Sequence, residues 1–259
     1  MEIPLLDYHI HTVYSGHSSA DMTVRNIIET AELRNLKSIV ILEHAFYSLM
    51  GKVTLEQIKK EVQTLETKIK VLIGIEIDPD YKRKGHLVFE DFNRENIDVI
   101  LVGTHTIPYI GKGWCESLSL TKKEKEIIYH KWFEITENVI ENSPIDILAH
   151  PGRLISKNGI VEKFDNTVLK DFEYLFIKAK EKNIAFELNE SMLKNFQDDK
   201  QKESYMDVIR LAISTGLKVS LGSDAHSLER IGERFYITRA VHECNISQKN
   251  LFIIKQESG

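Results

Sequence analysis

Two cysteines, Cys115 and Cys244, are all that 259 residues contain, and they stand far apart outside any C-x-x-C pair. So few thiols give no basis for a disulfide framework, and free thiols in a reducing compartment are expected. No stretch approaches the roughly 18 consecutive apolar residues of a membrane helix. The opening Met1-Glu2-Ile3-Pro4 lacks the charged segment and following apolar segment of a secretory leader. A cytoplasmic protein with no membrane partner is the expectation. Charge of one sign is missing too: 34 basic residues face 39 acidic ones, for a net charge of -5 with no long basic run. A nucleic-acid backbone is therefore not the expected partner. Neither G-x-S-x-G nor G-x-x-x-x-G-K-[ST] occurs, which argues against a nucleophile elbow and a phosphate-cradling loop. There is no low-complexity segment, no Pro/Gly/Ser linker and no close repeat.

What remains is an ordinary globular composition, 42% hydrophobic and 28% charged, with enough apolar mass for a real core. The length suits one α/β barrel, so residues 1–259 are expected to form a single domain. Short apolar runs at 5–11, 38–43, 71–77, 97–103, 145–149, 184–188 and 219–222 read as seven strands. Amphipathic stretches separate them, the pattern of βα units in a parallel sheet. Val24, Ile27, Ile28 and Ala31 share one helical face. Leu55, Ile58, Val62, Leu65 and Ile69 share a second, and Ile128, Trp132, Ile135 and Val139 a third. Val168, Leu169, Phe172, Leu175, Phe176 and Ala179 form a fourth. Thr54 with Gln57 and Thr121 with Glu124 read as capping boxes that start two of these helices. Residues 87–96 carry a weak helical signal. Seven strands with helices between most of them predict a closed but irregular barrel, with a doubly wound open sheet as the alternative.

Each predicted strand except the sixth ends in, or runs into, a good metal ligand. The first carries His9 and His11, and residues two apart on a strand point the same way, so both imidazoles can reach one ion. The second ends in Glu43-His44, the third near Glu76 and the fourth in Thr104-His105. The fifth ends in His150, before Pro151-Gly152, and the seventh in Asp224-Ala225-His226. In a parallel barrel all strand C-termini open on one face, so these donors converge on one mouth. His17, in the loop after the first strand, is a ninth candidate. Mixed imidazole and carboxylate donors suit zinc, manganese or iron rather than calcium. Nine donors exceed the needs of one ion, so two or three ions are expected, bridged by a carboxylate such as Glu76. His86, His130 and His242 fall outside the pattern and read as surface or packing residues.

Divalent ions lower the pKa of bound water, and a pair about 3.5–4 Å apart can hold the attacking and leaving oxygens of a phosphoryl group. No activated serine or cysteine is then required. Arg153, directly after His150-Pro151-Gly152, is a candidate phosphate clamp, because a guanidinium matches phosphate bidentately. A solvated loop arginine is the plain alternative. Arg230 and Arg234 are further candidates. Asp7 is a candidate acceptor for a ligand histidine, or an ordinary strand-entry residue. Asn189 is expected either to face the mouth or to cap a turn.

These motifs together resemble those of the polymerase and histidinol phosphatase (PHP) family. The H-x-H opening is similar to His9-Ile10-His11, and the second motif to Glu43-His44. The isolated glutamate resembles Glu76, and the next motifs resemble His105 and His150-Pro151-Gly152. The last resembles Gly222-Ser223-Asp224-Ala225-His226. The resemblance implies a distorted, TIM-like (β/α)7 barrel with a trinuclear site at the C-terminal ends of the strands. It places His9, His11, Glu76 and Asp224 on one ion, Glu76, His105 and His150 on a second, and His17, His44 and His226 on the third. It implies three divalent ions, drawn from zinc, manganese and iron; Glu76, Asp224 and, on its own chemistry, Arg153 are the catalytic candidates. The implied activity is hydrolysis of a small phosphomonoester by hydroxide generated at the metals. Histidinol phosphate is the named candidate, although Phe46-Tyr47 stand after Ala45 where histidinol phosphatases usually carry proline. A 3′-5′ exonuclease and a non-catalytic metal-binding module are the competing readings. The exonuclease would need a basic track with aromatic platforms, which the sequence does not display.

Overall fold

The computed structural model describes residues 4–45, 48–88, 90, 94, 97–109, 113–114 and 120–254. Among these the strands are β1 (Leu6–His11), β2 (Ser38–His44), β3 (Lys70–Ile77), β4 (Val99–Val102), β5 (Pro108–Tyr109), β6 (Gly113–Trp114), β7 (Ile147–Leu148), β8 (Ala185–Asn189) and β9 (Val219–Gly222). The helices are α1 (Val24–Leu33), α2 (Ser48–Gln63), α3 (Lys122–Asn142), α4 (Arg153–Lys157), α5 (Asn166–Glu181), α6 (Glu190–Lys194), α7 (Asp199–Ser214) and α8 (Phe235–Glu243). Seven strands form one parallel sheet in the order β1-β2-β3-β4-β7-β8-β9, while β5 and β6 make a separate antiparallel pair. The two sheet edges meet beyond β9. Ile10 bridges Ala225 in parallel, with His11 N–H to the Ala225 carbonyl at 3.0 Å and Ala225 N–H to the His9 carbonyl at 3.3 Å. The result is a nearly closed, distorted (β/α)7 barrel, as expected, and not an open sheet.

The alternation of strand side chains decides what fills it. Val40 and Leu42 of β2, Leu72 of β3, and Val99 and Leu101 of β4 join one interior cluster, with Ile147, Ala149 and Ala185. The intervening residues, such as Ile39, Ile41, Ile73, Ile75 and Ile100, pack outward against helices. Carried on by two or four residues, the inner parity reaches His44, Glu76, Gly103, His105, Glu187 and Asn189. β1 breaks the rule. Leu6 and Tyr8 lie in the interior cluster and Ile10 in an outer one, so the parity changes between Tyr8 and His9. The register supplies the cause. Leu6 pairs with Ser38 but Ile10 with Ile41, a shift of one residue. This bulge re-aims the chain, so that His9 and His11 face inward although Tyr8 does too.

The expected helical faces are largely those that are buried: Val24, Ile27, Ile28 and Ala31 on α1, and Val168, Phe172, Leu175, Phe176 and Ala179 on α5. Thr121 and Glu124 form the expected capping box at the start of α3. The Thr54–Gln57 pair does not start a helix. α2 already begins at Ser48, so Thr54 lies inside it, and Leu65 and Ile69 fall beyond its end. A helix nucleated upstream propagates through a threonine at little cost. Most of the weak helical signal over 87–96 lies outside the described residues, as do Phe46-Tyr47 and Cys115. At the end of the barrel away from the strand C-termini, Phe252 N–H bonds to the Val219 carbonyl at 2.7 Å. There Phe252 and Ile254 pack against the interior cluster. Among the described residues no helix is long and apolar enough to cross a membrane.

Candidate metal centre

Glu76 is the hub of the mouth. Its side chain is 1% exposed, and its two oxygens face different imidazoles. Oε1 lies 2.8 Å from His150 Nε2 and 3.3 Å from His105 Nε2. Oε2 lies 3.3 Å from His9 Nε2, 3.4 Å from His11 Nε2 and 3.1 Å from His44 Nδ1. Asp224 Oδ1 stands 3.6 Å from His9 Nε2 and 3.7 Å from His11 Nε2. At the rim, His226 Nε2 and His17 Nε2 are 2.8 Å apart. Every one of the nine donors expected from the sequence is therefore in this cluster. Three subsets have donor atoms mutually close enough to share an ion: His9, His11 and Glu76; His44, Glu76 and His105; and His11, His44 and His226. His44 belongs to two of these. It lies between the centre and the rim, whereas the family resemblance groups it with His17 and His226 alone.

The arrangement fits metal ions. Two donors each about 2.0–2.1 Å from one ion lie roughly 2.9–3.3 Å apart, close to the spacings above. Oε2 of Glu76 is buried and accepts no hydrogen bond, a costly state for a carboxylate oxygen unless a cation faces it. The charges are arranged accordingly. Burial opposes ionisation of Glu76, but His105, His9 and His44 outweigh it and hold the carboxyl well below its ordinary range. Burial likewise opposes ionisation of Asp224, and His9, His150 and His11 bring it down. Burial lowers His11 to about 4, leaving that ring neutral and able to donate a lone pair.

Backbone strain sits here too. Among the described residues five non-glycine residues have positive φ; three are asparagines, and the others are His150 (32°) and Asp224 (56°). Non-glycine residues in this region are strained unless their surroundings support them. Asp7 supplies some of it. It accepts hydrogen bonds from Ser223 N–H (2.9 Å), Ser223 Oγ (2.6 Å) and Gly232 N–H (2.7 Å). The sequence offered Asp7 as an acceptor for a ligand histidine or as a strand-entry residue; it accepts the His9 backbone N–H at 3.4 Å and anchors the backbone leading into Asp224. Asn189 fills both of its expected roles. Its Oδ1 accepts from Met192 N–H at the start of α6, while its Nδ2 reaches Glu187 and Asp224.

Three carboxylates support the cluster; the sequence named Glu43 only as the neighbour of His44 and Glu187 only within a segment resembling one that lines the site in the family, and Asp78 went unread. Asp78 Oδ1 is 2.7 Å from His105 Nδ1. Glu43 accepts from Thr12 N–H and Oγ1, and its other oxygen is 4.0 Å from His11 Nδ1. Glu187 contacts His9. Inner-face parity on β8 was the available signal for Glu187. Arg153 opens α4, next to His150, and shares with it a cavity of about 20 Å³. Arg230 is paired with Glu233 at 2.9 Å. Arg234 precedes α8, where burial lowers its pKa against the pull of Asp7. His86 pairs with Glu90 on the surface.

The model of the PHP domain matches residues 7–191. The chain belongs to the PHP family. Among its relatives is a "Probable phosphatase" of Thermoanaerobacter sp. (strain X514), 22% identical over 251 residues, which cover 94% of this chain and 88% of that one. A "Probable phosphatase" of Clostridium botulinum is 27% identical over 238 residues, covering 88% and 81%. Among solved structures, histidinol phosphate phosphatase from Lactococcus lactis, complexed with zinc, L-histidinol and phosphate, superimposes with a TM-score of 0.67. It is 19% identical and the match covers 93% of this chain and 94% of that one. At that identity the likeness speaks for the fold.

Proposed function

We propose that this PHP protein is a metal-dependent phosphatase hydrolysing a small phosphomonoester, with histidinol phosphate the first substrate to test. The observation that carries the proposal is Glu76, a buried carboxylate with one oxygen toward His105 and His150 and the other toward His9 and His11. The names of the relatives support a phosphatase, and the zinc, histidinol and phosphate of the Lactococcus lactis protein support the substrate class. Residues 1–259 then act as one catalytic domain.

In this proposal His9, His11, Glu76 and Asp224 hold one divalent ion. Glu76, His105 and His150 hold a second, and His17, His44 and His226 a third; zinc, manganese and iron suit the donors. When bound, such ions lower the pKa of water and neutralise the charge of a phosphate ester. The chain's own part is placement. Glu76 sets the spacing of the first two positions through its two oxygens. Asp224, held by the Asp7-anchored turn, adds negative charge on the side of His9 and His11. Arg153, with no ion pair among the described residues, is free to turn its guanidinium to a phosphate oxygen.

The test is hydrolysis of p-nitrophenyl phosphate and histidinol phosphate with added manganese or zinc, repeated with His9→Ala. Metal-dependent release of phosphate is expected, falling at least about a hundredfold in the variant. Fully metal-loaded protein that hydrolyses no phosphomonoester would overturn the proposal in favour of a non-catalytic module.

A further inference from the structure

Glu187 lies at the middle of β8, on the inner face between Ala185 and Asn189. Its side chain is completely buried. A buried carboxylate is expensive unless its oxygens are met, and both of these are met, by different strands. Oε1 is 2.7 Å from Nδ1 of His9, on β1. Oε2 accepts the backbone N–H of His150, just after β7, at 2.7 Å, and Asn189 Nδ2 at 3.1 Å. One side chain thus touches two residues of the mouth that lie 141 positions apart in sequence, His9 and His150.

Two further features are built around it. A methyl group on Gly222 would collide with Glu187 Oε1 and come within 2.7 Å of His9 Cβ. The backbone of Gly222 does not have positive φ, so glycine is required there for room and not for conformation. The barrel wall is cut away where the carboxylate passes. The second feature is the left-handed backbone of His150. The peptide N–H bound by Glu187 belongs to that same residue, so the carboxylate helps to hold a conformation that the chain alone disfavours.

We infer that Glu187 is a positioning residue that yokes two of the proposed ion positions, by fixing the His9 ring with Nδ1 as donor and pinning the His150 backbone. This rests on the metal-centre reading above. With its proton on Nδ1, His9 keeps the Nε2 lone pair turned toward Glu76 and Asp224, where an ion would sit. With its peptide fixed, His150 keeps Nε2 on Glu76 Oε1. The third position, at His17, His44 and His226, receives nothing from Glu187 and serves as an internal control.

Glu187→Gln separates these roles. An amide offers one acceptor and one donor group, so it cannot accept from both His9 Nδ1–H and His150 N–H. Either the His9 ring moves its proton to Nε2, or two N–H groups face each other at His150. Gly222→Ala keeps the carboxylate but displaces it. Metal-depleted wild type and both variants would be titrated with zinc against a chromophoric chelator, alongside thermal melting of the metal-free forms. Two of the bound equivalents should weaken about tenfold to hundredfold in each variant while one is unchanged. Equal zinc affinity in wild type and both variants, with only a lower melting temperature, would reduce Glu187 to a structural residue and overturn the inference. Should neither variant fold, imidazole ¹⁵N shifts of the zinc-loaded wild type decide, and a His9 proton on Nε2 overturns it. Wild type that takes up no divalent ion would instead sink the metal-centre reading itself.

Discussion

Oδ1 of Asp78 lies 2.7 Å from Nδ1 of His105 and also accepts the His105 backbone N–H at 3.2 Å. Asp78 follows Glu76 by two residues, so one strand end supplies both the hub of the centre and the clamp for one of its imidazoles. Carboxylates placed this way fix the tautomer of a metal-binding histidine and raise its basicity. Asp78→Ala should therefore weaken zinc binding about tenfold to hundredfold. Asp78→Asn, which keeps a neutral acceptor, should cost less. A chelator-competition titration checks both, and equal losses would show that the retained neutral acceptor contributes nothing and that the carboxylate charge carries the effect.

Gly103, just past β4, carries a second prediction. A Cβ there would lie 2.6 Å from His150 Cε1, 2.7 Å from Glu76 Oε1 and 3.0 Å from His105 Cε1. Its φ is not positive, so the demand is again for space. The nearest atoms are ends of side chains, which can move, but each is a proposed ligand. Gly103→Ala should leave far-UV circular dichroism unchanged while lowering kcat/KM for p-nitrophenyl phosphate about a hundredfold, as a misplacement of about 1 Å can. A fully active alanine variant would mean that the cluster tolerates displacement and that its geometry is not limiting.

Much of this site was legible because its chemistry is carried by rare residue types at strand ends. Histidines and acids that terminate apolar runs point to one mouth in any parallel barrel, and all nine proved to converge. The supports were harder to read. Glu187 lies inside an apolar strand, where an acid looks like an interruption; the family resemblance of residues 187–191 pointed to the site, but the role of Glu187 itself shows only in the inner-face parity of β8. The bulge in β1 leaves no mark in the sequence, since Leu6, Tyr8 and His9 all read as strand. α7 escaped because many of its buried positions are polar or mixed: Gln201, Ser204 and Tyr205 are buried beside Val208, Ile209 and Ala212. Gln201 spends its amide on the carbonyls of Ser156 and Val161, a contact that hydrophobic periodicity cannot register. The early start of α2 was hidden by a capping-box pattern that the folded chain does not use.

Cys244 supplies a pH-dependent prediction away from the metal centre. It is 7% exposed, and burial pushes its thiol up to about 11. Only the thiolate reacts with alkylating agents. In a Cys115→Ser variant, iodoacetamide labelling of the native protein at pH 8 should run about a hundredfold slower than labelling in denaturant. The native rate should climb about tenfold per pH unit until the pH nears 11. Rapid labelling at pH 8 would show that α8 opens readily.

Removal of metal should proceed from the outside inward. His17 is exposed, and the His226 side chain is 27% exposed, whereas His9 and His11 are fully buried and Glu76 nearly so. A chelator reaches the rim without opening the barrel, but the inner donors become accessible only when surrounding structure moves. Stepwise chelation followed by elemental analysis should therefore release one equivalent quickly and the others slowly, and His17→Ala should lose the fast equivalent alone. Each occupied site adds about 2.7 kcal/mol of stability at a hundredfold excess over its Kd. For a chain of this size that corresponds to a fall of about 5–10 °C in melting temperature as each ion leaves. Ions held at the inner positions would screen a buried acid pair, Glu76 with Asp224, from mutual repulsion, so their loss should cost more than the loss of the rim ion. A single, synchronous release of all ions, or a larger drop for the first ion than for the last, would contradict the division into a rim position and a buried pair.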